Sequence, residues 1–234
     1  MNGKIFLSGG GSEKDTYDFD KEFVNSLQSR KILYVPVAME RDPLGYESCY
    51  DWIISSLTQF NDKLVDITMC INLRNEVFSN LDRFDAVYIG GGNTYRLLDE
   101  IYSAGIDKHL SRFIDKGGSY YGGSAGAIIM GKSIDTVLEE NDKNYKYHEG
   151  LKKAGCYSFI AHFDIKNDDK IQKINTFLLN HKSPVIAIPE GTGLIIENKS
   201  IRTIGKLPAF AFRPNEKKRE IIARSFFNFL RDEG

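Results

Sequence analysis

The chain has 234 residues, which fits one large domain or two small ones, and its length alone favours a single domain covering 1–234. Its composition, 41% hydrophobic and 27% charged, is typical of an ordinary soluble globular protein. The formal net charge of −1 gives no indication of a nucleic acid or an anionic membrane as partner. No run of about 18 apolar residues and no apolar leader is visible, so we expect no membrane segment and a cytoplasmic location.

The three cysteines, Cys49, Cys70 and Cys156, are odd in number, far apart and free of C-x-x-C spacing. This pattern argues against a disulfide framework and against a zinc site. We therefore expect each cysteine to be a small buried apolar residue, and we expect the protein to use no metal and no other cofactor.

Short apolar strands alternate with amphipathic helices through the first half of the chain. The predicted elements are strands at 4–7, 31–37, 64–67 and 84–89, and helices at 19–27, 46–60, 75–81 and 95–102. The run 31–37 is almost continuously apolar, as expected of a strand that is buried on both faces.

The second half continues this alternation around a polar interruption. Its predicted elements are strands at 119–121, 156–161, 184–188, 193–197 and 201–204, and helices at 106–115, 125–130, 168–179 and 217–230. The interruption, residues 132–155, is rich in acids and tyrosines and shows no clear period. The pattern predicts an α/β fold with a mostly parallel sheet covered on both faces, and the closely spaced last strands predict an antiparallel edge.

The most informative motif is the segment from Gly122 to Ala127, which fits G-x-S-x-G at Gly122, Ser124 and Gly126. It lies between a β-prone run and a small apolar helix start. A serine on such a strand-to-helix turn has its Oγ exposed above the sheet, and the flanking glycines relieve crowding in the turn. The motif predicts that Ser124 is a hydrolase nucleophile.

A serine nucleophile needs a base, and His162 is the best candidate among the four histidines. It follows the apolar run 156–161 and therefore lies at the carboxyl end of a predicted strand, the edge where parallel α/β sheets carry their sites. By contrast, His109 lies among charged residues within a helix, and His181 ends a helix, where a cation interacts favourably with the dipole.

A second glycine cluster, residues 90–92 followed by Asn93 and Thr94, also joins a strand to a helix. It completes neither a P-loop nor a G-x-G-x-x-G motif. We interpret it as part of an oxyanion hole, with one amide donor near Gly92 and one from Ala125. A plain tight turn is the alternative. The glycine cluster at 9–11 also follows the end of a predicted strand. It either shapes the pocket or forms a flexible turn.

Four acids lie between the serine and the histidine: Asp135, Glu139, Glu140 and Asp142. The order Ser, acid, His occurs in other strand-turn-helix serine hydrolases, but the residues alone select none of the four. Glu190 follows a predicted strand in a Pro-Glu-Gly turn, where it is either solvated or part of the pocket.

Taken in order, four segments resemble the peptidase E/cyanophycinase family of serine peptidases. They are Gly90–Thr94, Gly122–Ala127, Ala161–Phe163 and Ile188–Gly191. The early run from Leu33 to Ala38 is also similar, so the resemblance extends over the whole chain.

This resemblance implies a three-layer α/β sandwich of the class I glutamine amidotransferase type. It also implies a triad with Ser124 as nucleophile and His162 as base. Counting from the serine without gaps, the family's acidic member falls at Glu139, with Asp135 as the alternative. Asn93, Asp135 and Glu190 are candidate pocket residues. The polar segment 132–155 differs strongly from the family in composition.

The predicted function is therefore a serine peptidase that acts on short peptides through an acyl-enzyme. The resemblance implies dipeptides with an N-terminal aspartate as one substrate class. The alternatives are an esterase or amidase with the same triad and a non-catalytic binding protein with the same fold. A homodimer is a candidate assembly.

Overall fold

A computed structural model describes residues 3–39, 45–60, 64–138, 141, 143–198, 200–214, 216, 219–221 and 226–228. Two β-sheets organise the described part of the chain, one of eight strands and one of four. The larger sheet is built around five parallel strands in the order β1-β5-β4-β2-β3. Their bounds are β1 Ile5–Ser8, β2 Lys31–Val35, β3 Asp66–Met69, β4 Ala86–Ile89 and β5 Ser119–Gly123.

Helices cover both faces of this sheet. One face packs against α1 (Glu13–Ser26) and α2 (Gly45–Thr58), and the other packs against α3 (Thr94–Ala104), α4 (Asp107–Asp115) and α5 (Ala125–Ile128). Short 3₁₀ segments lie at Val37–Met39 and Glu76–Arg83. Alternate strand residues enter opposite cores: Ile32 and Tyr34 face α1 and α2, whereas Leu33 and Val35 face the other layer.

The smaller sheet consists of β6 (Ser158–Ile160), β7 (Val185–Ala187), β10 (Ala209–Phe212) and β11 (Arg219–Ile221). Strands β6 and β7 are parallel, and the other pairs are antiparallel. One face of this sheet joins the main core, and the other face is covered by α6 (Asp168–His181).

An antiparallel edge extends the main sheet beyond β1, through β8 (Thr192–Glu197), β9 (Ser200–Gly205) and β12 (Phe226–Asn228). These findings confirm the predicted mostly parallel α/β sandwich. The predicted helix at 217–230 is wrong, because β11 and β12 lie within it as strands. Burial of Ile221 beside β10 stabilises the strand there, and β10 itself has no counterpart among the predicted elements.

Strand order is what assembles the site. Because β1, β5 and β4 are neighbours and parallel, their carboxyl ends meet at one edge of the sheet. The loop at 9–11, the serine turn and the loop at 90–92 therefore lie side by side, although more than a hundred residues separate the first from the second along the chain.

Candidate active site

Ser124 lies on a sharp turn between β5 and α5. Its backbone angles, φ 50° and ψ −107°, are strained for a residue with a side chain. The turn is held by the Ser124 amide, which donates to the Ser8 carbonyl oxygen at 3.1 Å. A Cβ on Gly126 would lie 2.3 Å from the Ile89 carbonyl oxygen, so this motif position requires glycine. The sequence pattern therefore has a direct steric cause.

The His162 imidazole lies directly beside the serine. Its Nε2 is 2.8 Å from Ser124 Oγ, within hydrogen-bond distance. His162 follows β6 and has a left-handed backbone, with φ 51°. Its amide donates to the Gly9 carbonyl oxygen at 2.8 Å, which fixes the end of the small sheet against the end of β1.

Glu190 is the carboxylate beside the other ring nitrogen. Its Oε1 lies 2.7 Å from His162 Nδ1. Glu190 follows β7, the parallel neighbour of β6, so the two strand ends present the acid and the histidine together. A carboxylate can only accept, so Nδ1 carries the proton and Nε2 is free to accept the serine proton. Both side chains are substantially exposed, 44% for His162 and 61% for Glu190.

The acids of the 132–155 segment are placed differently. Asp135 pairs with His148, whose Nδ1 is 2.5 Å from Asp135 Oδ1. The other carboxylate oxygen, Asp135 Oδ2, lies 3.8 Å from His181 Nε2. Asp135 therefore contacts His148, whereas the two ring nitrogens of His162 contact Ser124 and Glu190. Glu139, the acid implied by the family resemblance, lies outside the described residues.

The segments predicted to supply the oxyanion donors adjoin the serine. Ala125 is the first residue of α5, and its amide belongs to the first turn, which has no intrahelical acceptor. In the neighbouring loop, Gly91 and Gly92 both line the cavity beside Ser124, and Gly91 is close enough that an added Cβ would lie 3.1 Å from Ser124 Cβ. Asn93 does not enter the cavity lining. Its side chain instead caps α3 by accepting from the Arg96 amide at 2.8 Å.

A cavity of about 490 Å³ opens at Ser124 and His162. It continues between the sheet, α1 and α2, with Tyr34 and Tyr88 on the sheet side and Cys49 and Trp52 on the α2 side. Its volume falls in the range of small-molecule sites.

A buried carboxylate lies just behind this cavity. Asp20 of α1 is only 3% exposed, and it accepts hydrogen bonds from the Tyr121 hydroxyl at 2.6 Å and the Thr16 hydroxyl at 2.7 Å. Burial raises the pKa of Asp20 from 3.8 to about 6, and the two hydroxyl donors oppose that rise. Burial also holds the pKa values of Tyr88 and Tyr121 well above their usual range.

Within the described residues, no group of three or more His, Cys, Asp or Glu side chains is placed to hold a metal ion. No helix in the described part of the chain is both long enough and apolar enough to span a membrane.

Sequence reasoning missed the partnership of Glu190 with His162 and the tyrosine wall of the cavity. Glu190 was recognisable as a residue after a strand, but the pairing of β7 with β6 cannot be deduced from local pattern. Tyr34 and Tyr88 each stand between two aliphatic residues, and Tyr121 belongs to a short β-prone run, so all three resemble ordinary core positions.

The chain is similar to several known peptidases over most of its length. It is 23% identical over 243 residues to peptidase E of Pasteurella multocida, covering 98% of this chain and 100% of that protein. It is 26% identical over 213 residues to peptidase E of Shewanella denitrificans, covering 87% and 88% of the two chains.

Two solved structures share the fold. A peptidase from an acI-B1 Actinobacterium matches with a TM-score of 0.79 and 18% identity over 98% of both chains. A putative peptidase E protein from Listeria monocytogenes EGD-e matches with a TM-score of 0.69 and 22% identity, covering 88% of this chain and 100% of that one. The family model of peptidase family S51 matches residues 5–204. This confirms the resemblance inferred from the motifs: the chain belongs to peptidase family S51 and is a serine-type peptidase.

Proposed function

We propose that the protein hydrolyses short peptides through a triad of Ser124, His162 and Glu190, by way of an acyl-enzyme. The observation that carries the proposal is the continuous hydrogen-bonded chain from Ser124 Oγ to His162 Nε2 at 2.8 Å and from His162 Nδ1 to Glu190 at 2.7 Å. Nucleophile, base and orienting acid are thus in the geometry that the chemistry needs.

In the acylation step, Ser124 Oγ attacks the scissile carbonyl carbon while His162 Nε2 takes the hydroxyl proton. The carboxylate of Glu190 stabilises the imidazolium that forms and keeps the ring in the correct tautomer. His162 then gives the proton to the leaving amine, the C–N bond breaks, and the acyl group remains on Ser124.

Deacylation repeats the sequence with water as nucleophile. His162 takes a proton from water, the hydroxide attacks the ester carbon, and Ser124 leaves with the proton returned by His162. In both steps the tetrahedral oxyanion is held by amides from Ala125 and from the loop at 90–92, with Gly92 as the proposed donor. The loss of one such donor costs about 10²–10³ in rate.

Short peptides fit the space available. A cavity of about 490 Å³ holds one or two residues rather than a long polypeptide. The family resemblance makes dipeptides with an N-terminal aspartate one class to assay, beside neutral dipeptides and simple esters. Faster turnover of esters than of all peptides would favour the esterase alternative.

The test is hydrolysis of a dipeptide panel by the wild type and by Ser124→Ala. We expect the variant to lose about 10³-fold or more in kcat while keeping its thermal unfolding temperature. Ser103→Ala, an exposed serine of α3 away from the cavity, is the matched control and should keep full activity. Undiminished turnover by Ser124→Ala would overturn the proposal.

A further inference from the structure

The cavity beside Ser124 runs along the sheet edge in a defined direction. His162 and Gly10 lie at the β1 end, Ser124 follows β5, Gly91 follows β4, and Tyr34 belongs to β2. Since the strand order is β1-β5-β4-β2, the base lies on one side of the nucleophile and the part of the cavity next to α2 lies on the other.

The strand order determines where each half of a peptide substrate lies in the cavity. The leaving amine must lie near His162 Nε2, because that nitrogen supplies its proton. The residue that contributes the scissile carbonyl must then extend the other way, past the loop at 90–92. Its side chain enters the space between β4, β2 and α2, which we call the acyl subsite.

The acyl subsite has an aromatic and sulfur-rich lining, made by Tyr34, Met39, Cys49, Trp52 and Tyr88. The Tyr34 and Tyr88 rings pack edge to face at 5.4 Å, and Tyr88 stacks on Tyr121 at 4.1 Å. Such a wall favours apolar and aromatic side chains through burial and ring contacts. The cavity lining contributed by the described residues contains no lysine, arginine, aspartate or glutamate.

A negative charge lies directly behind that wall. The Asp20 carboxylate is bonded to Tyr121, which lines the cavity and stacks on Tyr88 of the subsite. With its pKa at about 6, Asp20 is ionised at neutral pH. Its charge is little screened, because the carboxylate is buried. An acidic substrate side chain in the subsite would therefore be repelled by Asp20.

We propose that the acyl subsite selects a neutral aromatic or aliphatic side chain, such as Phe or Leu, and discriminates against Asp, with Trp52 as a specificity-determining residue. This inference rests on the proposed peptidase function. It departs from the aspartate-directed substrate class that the family resemblance implies, because it follows from the groups that line this cavity.

The first test compares aminoacyl p-nitroanilides that share one leaving group and differ only in the acyl residue: Phe, Leu, Ala and Asp. We expect kcat/KM for Phe and Leu to exceed that for Asp by about 10- to 100-fold, as for one well-filled apolar pocket. Trp52→Ala should lower kcat/KM for Phe while changing the value for Ala little. Asp51→Ala, an exposed neighbour on the same helix, should change neither.

The second test measures binding without catalysis. Trp52 is the single tryptophan of the chain, so its fluorescence reports directly on occupation of the subsite. In the Ser124→Ala variant, phenylalanine amide should change this emission saturably, whereas aspartic acid amide should require at least about a tenfold higher concentration.

The two tests separate the two claims. A saturable response to phenylalanine amide with no p-nitroanilide hydrolysis by the wild type would support the subsite and overturn the peptidase function. Hydrolysis with Asp as the preferred acyl residue would support the function and overturn the subsite. No fluorescence response to any of the amides would also overturn the subsite.

Discussion

Ser124 and His162, the residues that exchange the proton in the proposed mechanism, both have unusual backbone conformations. Ser124 and His162 have φ values of 50° and 51°, a region that costs a non-glycine residue about 1–3 kcal/mol. Each is held there by an amide hydrogen bond to the end of β1, from Ser124 to Ser8 and from His162 to Gly9. The end of β1 therefore sets the distance between nucleophile and base.

The contact between Glu190 and His162 predicts a specific effect of Glu190→Gln. The amide can still accept from Nδ1, so the ring geometry is kept, but the charge that stabilises the imidazolium is lost. Because Glu190 is 61% exposed, water screens its charge. We therefore expect kcat to fall by about 10- to 10³-fold, less than the ~10⁴-fold loss at a buried triad acid.

Two further variants make this experiment decisive. Asp135→Asn removes the acid that pairs with His148, and Glu139→Gln removes the acid implied by family resemblance. Both should keep nearly wild-type kcat. A large loss in either variant with full activity in Glu190→Gln would show that the acid is misassigned.

Gly10→Ala tests whether the close packing of Gly10 against the His162 ring fixes the position of the imidazole. A Cβ at this position would lie 2.3 Å from His162 Cε1, so the ring must leave its position beside the serine. Displacement of a catalytic group by about 1 Å costs about 10²-fold in rate, which is the loss of kcat/KM that we expect.

The control for this variant is Gly105→Ala at the end of α3. Gly105 also has positive φ, +71°, but an added Cβ would meet no atom within 4 Å. Both variants should lose some thermal stability, but only Gly10→Ala should lose activity. Equal activity in the two variants would show that the His162 position does not depend on Gly10.

At the residue scale, the sequence alone could single out Ser124 and His162, which the structure brings together, because each carries a local signal: the glycine-flanked turn for the serine and the strand end for the histidine. Glu190 also follows a strand, but that position alone does not indicate contact with the histidine. A glutamate in a turn is usually solvated, and only the pairing of β6 with β7 brings this one to the imidazole.

At the element scale, α3 connects the loop at 90–92 to the rest of the fold. The Asn93 side chain caps α3 by accepting from the Arg96 amide, and the Asn93 backbone amide donates to the Ala38 carbonyl oxygen at 2.9 Å. The loop that supplies the proposed oxyanion donor therefore ends in a fixed position.

Asn93→Ala should cost about 1 kcal/mol of unfolding free energy, the usual cost of a lost helix cap, and should also lower kcat because the loop is less well held. Asn75→Ala is the matched control, since Asn75 caps the segment Glu76–Arg83 by accepting from the Val77 amide. It should lose similar stability and keep its kcat. Chemical denaturation measures the unfolding free energy, and steady-state kinetics measures kcat. Equal kcat in the two variants would show that the Asn93 cap does not affect catalysis.

Helices and strands were predictable from the sequence where the hydrophobic period of a segment agrees with its burial in the fold. The continuous apolar run at 31–37 and the amphipathic run at 46–60 correspond to β2 and α2. The stretch 217–230 was mispredicted as a helix because its mixed apolar and charged residues fit both periods. Pairing with β10 and β9 makes parts of it strands, and local pattern does not indicate this pairing.

At the scale of the whole molecule, Asp20 links α1 to the centre of the main sheet through Tyr121 of β5. The pKa of Asp20 is raised from 3.8 to about 6 by burial, with Glu13 adding to the rise, while Tyr121 and Thr16 oppose it. The folded protein therefore resists ionisation of this carboxyl more than the unfolded chain does. The stability associated with the neutral form is complete below about pH 4 and is lost as pH rises to about 6.

Asp20→Asn removes this penalty and keeps an acceptor for Tyr121. We expect the unfolding free energy of the variant, relative to wild type, to rise by up to about 3 kcal/mol between pH 4 and pH 7, which is the linkage value of the pKa shift. Urea denaturation across this range measures the difference. Asp18→Asn, which removes an exposed carboxylate from the same helix, controls for the change in net charge. A difference that stays constant with pH would contradict the assignment.

The overall architecture was largely predictable, because the order of strands and helices restricts a parallel α/β sheet to few topologies. The division of the later strands between two sheets was not, because β7 and β8 are separated by only a short turn and no local pattern indicates that they join different sheets.

The most direct test of the central claim is covalent labelling of the wild type by a fluorophosphonate, followed by intact mass measurement and peptide mapping. An activated serine predicts one adduct per chain, located on Ser124, with labelling much slower in His162→Ala. An adduct on another residue, or no adduct in a preparation that hydrolyses peptides, would contradict the assignment of Ser124 as nucleophile.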